Sequence, residues 1–135
     1  MTIIVCVDDN GGMMFNHRRQ SQDKLLRKRV ISHLKGNPLW MNAYSAEQFS
    51  DYANSIAVDE AFLQKAAPND YCFVEGQDLS PCLSNINRII LYKWNRNYPS
   101  DFKFMLSLSG WTLQSSIEFV GSSHEKITEE IYAQC

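Results

Sequence analysis

The stretch TIIVCVDDNGGMMFN, residues 2–16, decides the fold. Its first half is a run of apolar, mostly β-branched residues with turn formers behind it, which is typical of a buried strand. Its second half opens with two carboxylates and two glycines, which break the strand. In open α/β sheets, ligands bind at the carboxyl ends of strands. The loop after this strand is therefore a candidate ligand-binding element.

Three interpretations of this loop stand side by side. Gly11 and Gly12 permit positive φ angles and close approach of a ligand, and the two methionines and the phenylalanine behind them could form an apolar wall for a flat molecule. Alternatively, the loop is flexible and its methionines fill the core. Asp8 and Asp9 could bind a metal ion, but adjacent strand residues point to opposite faces, so we expect no metal.

Helices and strands alternate after this loop. A helix is predicted over residues 22–35, with Ser21 as its N-cap, Gly36 as its stop and an apolar stripe formed by Leu26, Val30 and Leu34. Further helices are predicted after the caps Ser45 and Asp59 and around 79–83. The remaining strands are predicted at 39–42, 55–58, 71–75, 88–95, 102–106, 111–120 and 126–134.

This order predicts one domain over residues 1–135. Alternating strands and helices imply a parallel sheet with crossover helices. The last third reads as extended segments joined by turns, which suits antiparallel strands added to an edge. The fold class is therefore a three-layer α/β/α domain with a mostly parallel sheet and antiparallel C-terminal edge strands.

The composition indicates where the protein is located and whether its cysteines are reduced. Apolar residues make up 44% of the chain and charged residues 21%, as in ordinary globular proteins. No apolar run is long enough to cross a bilayer, and the first ten residues lack the features of a signal peptide. We therefore expect a cytoplasmic protein without a membrane partner. Its four cysteines show no disulfide or zinc spacing and are expected to be reduced: Cys6, Cys72, Cys82 and Cys135.

Positive charge is concentrated in one segment. Seven of the 13 lysines and arginines lie between His17 and Lys35, while the whole chain has a net charge of −2. This segment could bind an acidic partner, or it could simply be a solvated helix face. Nucleic acid is disfavoured, because the rest of the chain is acidic. The candidate partner-binding residues are Arg18, Arg19, Lys24 and Lys28.

The order of motifs resembles the dihydrofolate reductase family, including the related reductase domain of riboflavin synthesis. The strand and loop up to Asn16 match that family's opening, and Asp23 falls near its acidic position on the first helix. YCFVEGQDL (71–79) resembles the strand that ends in Gly-Gly over the cofactor pyrophosphate. The resemblance implies NADPH-dependent reduction with Asp23 as the acid. It also implies a ligand site formed by Val7, Met13, Met14, Phe15, Asn16, Leu26, Asn42, Glu75 and Gly76.

Several departures from that family bear on the cofactor. Asn42-Ala43 stands where the family has a Gly-Arg that faces the cofactor phosphates, and Glu75 stands in place of the first glycine of the Gly-Gly turn. A carboxylate there should repel phosphate. The strand that precedes residues 55–58 in the family is missing, and residues 17–20 replace the family's Leu-Pro-Trp. We therefore expect no cofactor.

Asp23 has two interpretations of its own. A carboxylate in an apolar pocket has a raised pKa and could exchange a proton with a nitrogen heterocycle. Alternatively, it is a first-turn helix acid that the helix dipole and Arg27 stabilise.

A second resemblance is to small bacterial proteins labelled ribonuclease Z. That enzyme is similar to metallo-β-lactamases and needs a His-x-His-x-Asp-His cluster, which this sequence lacks. No metal chemistry is therefore expected. The sequence favours a degenerate reductase-like domain that binds a small molecule or a protein. An active reductase of a pterin-like or pyrimidine-like substrate, which would use NADPH, is the first alternative, and an inhibitor or immunity-type protein is the second.

Overall fold

The computed structural model describes residues 1–134 and has the opening strand near the middle of its main sheet. The strands of this part of the chain are β1 (Thr2–Val7), β2 (Gly12–Phe15), β3 (Arg18–Arg19), β4 (Leu39–Met41), β5 (Ile56–Val58), β6 (Tyr71–Phe73), β7 (Arg88–Lys93), β8 (Phe102–Lys103), β9 (Trp111–Phe119) and β10 (Ile127–Gln134). The α-helices are α1 (Lys24–Ser32), α2 (Ala43–Ala46) and α3 (Phe62–Lys65), and two 3-10 stretches cover Glu47–Ser55 and Ser80–Asn85.

The main sheet has seven strands in the order β5-β4-β6-β1-β7-β10-β9. The first five are mutually parallel, and Ile3 of β1 lies between Cys72 of β6 and Ile89 of β7. β10 runs antiparallel to both β7 and β9. The predicted mostly parallel sheet with antiparallel C-terminal edge strands is confirmed.

Two apolar cores lie on opposite faces of this sheet. On one face, α1 and the first 3-10 stretch bury Leu26, Val30 and Phe49, and the Phe49 ring meets Phe73 edge to face at 5.0 Å. On the other face lie α3, the second 3-10 stretch and residues 102–108, whose half-buried side chains cover the sheet. The outer layers are thus partly helical and partly extended.

The stretch after β1 folds into a small sheet of its own, in the order β3-β2-β8. β2 and β3 form a hairpin in which Asn16 (φ 51°) and His17 (φ 61°) both occupy the left-handed region, as a tight two-residue turn requires. Met13 and Met14 are buried. The segment is therefore a paired strand rather than an irregular loop, and its methionines fill core space, as the second interpretation of the loop expected.

Helix α1 starts later than the sequence predicted. Its N-cap is Asp23, whose carboxylate accepts hydrogen bonds from the backbone N–H groups of Leu25 and Leu26. Ser21 lies outside the helix, so its assignment as N-cap was wrong. The helix ends at Ser32, and Gly36 follows in a positive-φ turn (φ 88°).

Other caps and bounds also differ from the prediction. Asn42, predicted to end a strand, caps α2 through a bond from the Ser45 N–H, so Ser45 lies inside the helix rather than capping it. The Asp59 carboxylate accepts from the Ala61 N–H, but the helix that follows is a single turn. Only Phe102–Lys103 of the predicted strand at 102–106 pairs as a strand, because its neighbour β2 is short.

A buried carboxylate ties α1 to the sheet. Glu129 of β10 accepts hydrogen bonds from Arg29 (Nε 2.7 Å, Nη2 3.1 Å), His33 Nε2 (2.9 Å) and the Tyr92 hydroxyl (2.8 Å). Desolvation acts to raise the pKa of Glu129, but these donors outweigh it and lower the pKa to about 2. Each oxygen is thus paired inside the core.

The described cysteines are free thiols: Cys6, Cys72 and Cys82. Cys72 and Cys82 are buried and Cys6 is half-buried, whereas Cys135 lies outside the described residues. Burial raises the pKa of Cys72 to about 12. None of the helices in residues 1–134 has the length and apolar character to span a membrane.

Candidate functional site

The carboxyl ends of β1, β4, β6 and β7 meet at one edge of the sheet, and an ion pair closes it. Arg19 of β3 contacts Glu75, just beyond β6, through Nε to Oε2 at 2.9 Å and Nη2 to Oε1 at 3.1 Å. The side chains are only 16% and 10% exposed. Burial acts to lower the pKa of Arg19, but Glu75 outweighs burial and raises it, so the guanidinium stays charged.

Neighbouring side chains fix this ion pair. The buried Ser45 hydroxyl donates to Glu75 Oε1 at 2.7 Å, and the Arg19 guanidinium lies 4.2 Å from the centre of the Tyr44 ring. Arg19 also donates to the Tyr44 carbonyl at 3.2 Å. The arrangement is bidentate, stacked and largely dry, which is the geometry that favours arginine over lysine.

Predicted ligand residues surround a pocket that is almost filled. Met14 packs against Gly76, where an added Cβ would lie 3.6 Å from the methionine Cε. The space left beside Leu26, Glu75 and Met13 is about 10 Å³, enough for one water molecule. A flat ligand cannot enter this pocket in the described conformation.

The remaining predicted ligand residues lie apart from the pocket. Val7 is buried in the core, Phe15 and Asn16 are exposed on the hairpin, and Asn42 caps α2. Asp8, considered as half of a metal pair, instead organises the loop: its Oδ1 accepts from the N–H groups of residues 10 and 12 and its Oδ2 from Tyr98 N–H. Within residues 1–134, no group of three or more His, Cys, Asp or Glu side chains is placed to hold a metal ion.

Asp23 lies in a cage of hydrogen-bond donors. Besides capping α1, its carboxylate accepts from the Ser122 N–H (3.0 Å), the Ser123 N–H (2.9 Å) and His124 Nδ1 (2.9 Å). Desolvation acts to raise the pKa of Asp23, but these donors hold it well below the usual range. The raised pKa that the proton-donor hypothesis assumed is contradicted, because the surroundings are polar rather than apolar.

The basic segment is only partly available to a partner. Arg18, Lys24 and Lys28 are exposed, as the partner-binding prediction requires. Arg19 is mostly buried and paired with Glu75, so its charge is less available to a partner than those of the other three. Arg29 is likewise paired with Glu129.

A comparison with solved structures finds a known fold that is similar to this one. The structure is similar to dihydrofolate reductase from Enterococcus faecalis complexed with NADP(H) and RAB-propyl, with a TM-score of 0.70, 13% sequence identity, and coverage of 98% of this chain and 95% of that one. The fold is dihydrofolate reductase-like. No protein-family model and no curated protein matches the sequence, and nothing in the comparisons supports the ribonuclease Z resemblance.

A larger groove lies on the face of the main sheet that α3, the second 3-10 stretch and residues 102–108 cover. Its volume is about 780 Å³, and its walls are residues 77–83 on one side and 102–107 on the other. Met13 contributes to it from β2, and Met105 is 85% exposed at its rim. A groove of this volume with mostly apolar walls is within the range of small-molecule sites.

The sequence prediction missed two features of the site. The Arg19–Glu75 pair joins residues 56 positions apart, and Asp23–His124 joins residues 101 apart. No local periodicity signals either contact. One available signal was the isolated carboxylate of Glu75 after an apolar strand, because a buried carboxylate needs a partner and Arg19 lies in the replaced loop.

Proposed function

We propose that this chain is a dihydrofolate reductase-like domain that binds a small molecule or a protein and does not carry out NADPH-dependent reduction. The Arg19–Glu75 ion pair is the observation on which this proposal rests. In the family that the sequence resembles, the turn after the corresponding strand approaches the cofactor pyrophosphate. Here that turn bears the Glu75 carboxylate, and Arg19 is already paired with it.

A phosphate group would have to displace a well-satisfied partner. Glu75 accepts three hydrogen bonds, from two nitrogens of Arg19 and from Ser45. Separating the pair to admit phosphate would leave the carboxylate buried and next to a second negative charge. Breaking a buried pair in this way costs about 3–5 kcal/mol, which equals roughly two to four powers of ten in affinity.

The groove between residues 77–83 and 102–107 is the proposed ligand site. Its apolar lining includes Leu79, Leu83, Phe104 and Trp111. Asp78 and Lys103, at opposite walls, supply one charge of each sign. This lining suits a compact apolar molecule with few polar groups rather than a dinucleotide.

The decisive experiment is titration with NADPH, followed by coenzyme fluorescence. We expect no saturation below about 1 mM for the wild type. Glu75→Gly should strengthen binding, because it removes the carboxylate and frees Arg19. Glu118→Gly, at an exposed position of β9, is the matched control and should change nothing. Micromolar affinity in the wild type would refute the proposal.

The groove can be tested separately with an apolar fluorescent dye. Met105→Arg should abolish dye binding, because it puts a charge at the rim. Val120→Arg is the control, since Val120 is also exposed (71%) but is not part of the groove lining. Equal dye binding by the two variants would exclude the groove as the site.

An active reductase is the second candidate, and the similarity to a dihydrofolate reductase that binds NADP(H) favours it. Asp23 would then be the acid for a pterin-like or pyrimidine-like substrate. Its lowered pKa speaks against proton donation at neutral pH. Oxidation of NADPH that depends on dihydrofolate, and that Asp23→Asn abolishes, would establish this candidate.

Binding of an acidic protein, as an inhibitor or immunity-type protein would do, is favoured by the exposed cations Arg18, Lys24 and Lys28. Such binding should weaken steeply with added salt. Lys28→Glu should weaken it further, whereas Lys65→Glu, at an exposed lysine of α3 on the other face of the sheet, should not. Salt-independent capture of a partner would contradict this role for the basic residues.

A further inference from the structure

Three side chains beside the filled pocket form a relay of hydrogen bonds. Ser21 Oγ lies 2.9 Å from His124 Nε2, and His124 Nδ1 lies 2.9 Å from Asp23 Oδ2. His124 and Asp23 are buried, and Ser21 is half-buried and lines the pocket. A serine, a histidine and a buried carboxylate in this order have the geometry of a nucleophile, a general base and its positioning group.

The ionised state of Asp23 decides which histidine nitrogen carries the proton. Five backbone or side-chain donors besides His124 hold the carboxylate ionised: the N–H groups of residues 25, 26, 122 and 123, and the Ser123 hydroxyl. The carboxylate therefore accepts from Nδ1–H, which leaves Nε2 as the nitrogen that faces the Ser21 hydroxyl.

The histidine ring is also held in place. Trp94 stacks on it, with ring centres 4.5 Å apart and planes 26° apart, and the Tyr98 hydroxyl lies 3.4 Å from Nε2. The ring therefore cannot turn away from Ser21 without losing the stack and the Asp23 bond. A base fixed in this way is positioned before any substrate binds.

An unpaired donor lines the same pocket. Gln48 Nε2 is buried and makes no hydrogen bond within residues 1–134. A buried N–H without a partner costs about 1–3 kcal/mol. A side-chain amide of this kind can stabilise a developing oxyanion. Cys6 also lines the pocket, but burial raises the pKa of its thiol, so it stays protonated and is a poor competing nucleophile.

We propose that Ser21 is a catalytic nucleophile for small, uncharged carboxylic esters, with His124 as its general base and Asp23 as the positioning residue. The Ser21 oxygen attacks the ester carbonyl while its proton passes to His124 Nε2. The C–O bond to the alcohol breaks, and the alcohol leaves with that proton. Water then attacks the acyl-serine, gives a proton to His124, and releases the acid as Ser21 regains its hydrogen.

The pocket explains the choice of substrate. Its free volume of about 10 Å³ has room for little more than the carbonyl oxygen of an ester, so the rest of the substrate must lie outside the pocket, against the half-buried Ser21. The apolar walls include Leu26, Phe73 and Val74. Arg19, the cation in the lining, is already paired with Glu75, so a charged substrate would find no countercharge. An acetyl ester of an aromatic alcohol has the required chemistry.

The test uses diisopropyl fluorophosphate and p-nitrophenyl acetate on the full chain. We expect diisopropyl fluorophosphate to leave one phosphoryl adduct per chain, which mass spectrometry should locate on Ser21. We expect p-nitrophenyl acetate to give a burst of p-nitrophenol. Ser21→Ala should abolish both, and His124→Gln should slow labelling about 100-fold. Ser115→Ala, at an exposed position of β9, is the control and should label normally.

Each outcome decides the proposal. Circular dichroism of every variant shows whether it is folded. Absence of an adduct on wild-type Ser21, an adduct elsewhere in the chain, or equal labelling of a folded His124→Gln variant would each overturn it. The NADPH and dye titrations are unaffected by these results.

Discussion

Replacing Glu129 with glutamine removes a charge from the centre of a buried network that joins α1 to β10. Glu129 is 1% exposed and accepts from Arg29, His33 and Tyr92. Glutamine has nearly the same shape but only one acceptor oxygen, and its NH₂ group would face donors. The half-buried Arg29 guanidinium would lose its full partner.

The magnitude follows from the pKa. Glu129 has a folded-state pKa of about 2, against an ordinary value of 4.5, and each unit is worth about 1.4 kcal/mol. Its ionisation therefore contributes about 3 kcal/mol to the free energy of unfolding. Because the folded pKa is the lower one, this contribution is complete above about pH 5 and is lost as the pH falls towards 2.

Urea unfolding at a series of pH values tests this reasoning. At pH 7 we expect Glu129→Gln to lower the free energy of unfolding by about 3 kcal/mol. Between pH 5 and 2 the difference between wild type and variant should shrink, because only the wild type loses this contribution. Glu118→Gln is the control, since its exposed carboxylate pairs with Lys126 at 3.5 Å on the surface. Parallel pH profiles for wild type and Glu129→Gln would refute the assignment.

Three further substitutions test the other contacts. Gly121→Ala should destabilise the fold by at least about 1 kcal/mol in urea unfolding, because the new Cβ would overlap the Asp23 carboxylate; an unchanged midpoint would show that the loop is not held there. Asp23→Asn should keep the helix cap but cost about 2–3 kcal/mol, because an NH₂ group would then meet the donors of residues 123 and 124; a neutral effect would mean that the donor cage is not formed. Arg19→Met should cost about 3 kcal/mol, whereas Arg19→Met combined with Glu75→Met should recover most of it; additive losses would contradict a direct pair.

The elements that follow from local pattern were predictable, and those that depend on distant partners were not. β1 and β7 are buried on both faces, so their apolar runs identify them without context. Helix α1 was placed correctly, but its start was two residues early, because Ser21 and Asp23 are both good caps by residue type. Asp23 is the cap because the loop at residues 121–124 supplies extra donors, which no local rule contains.

The hairpin of β2 and β3 was missed for a related reason. Two-residue turns of its kind are usually marked by Asn-Gly, whereas this one is Asn16-His17. The exposed flank of the hairpin is also stabilised from a distance, since the Asp101 carboxylate accepts from the Asn16 N–H at 3.0 Å. The candidate site was also hard to predict from local sequence, because its residues come from three distant segments: β3, the turn after β6 and the β9–β10 loop.

Two departures from the resembled family that look separate in the sequence are physically coupled. A carboxylate at position 75 is tolerable at 8% exposure only with a nearby countercharge, because an isolated buried carboxylate would be strongly destabilising. Arg19 provides that charge, and it belongs to the four residues that replace the family's Leu-Pro-Trp. Neither change is favourable alone: Arg19 without Glu75 would leave a buried cation. Arg19 and Glu75 therefore represent one structural change, although they are two separate departures in the sequence. Any attempt to rebuild a dinucleotide site should replace both residues together.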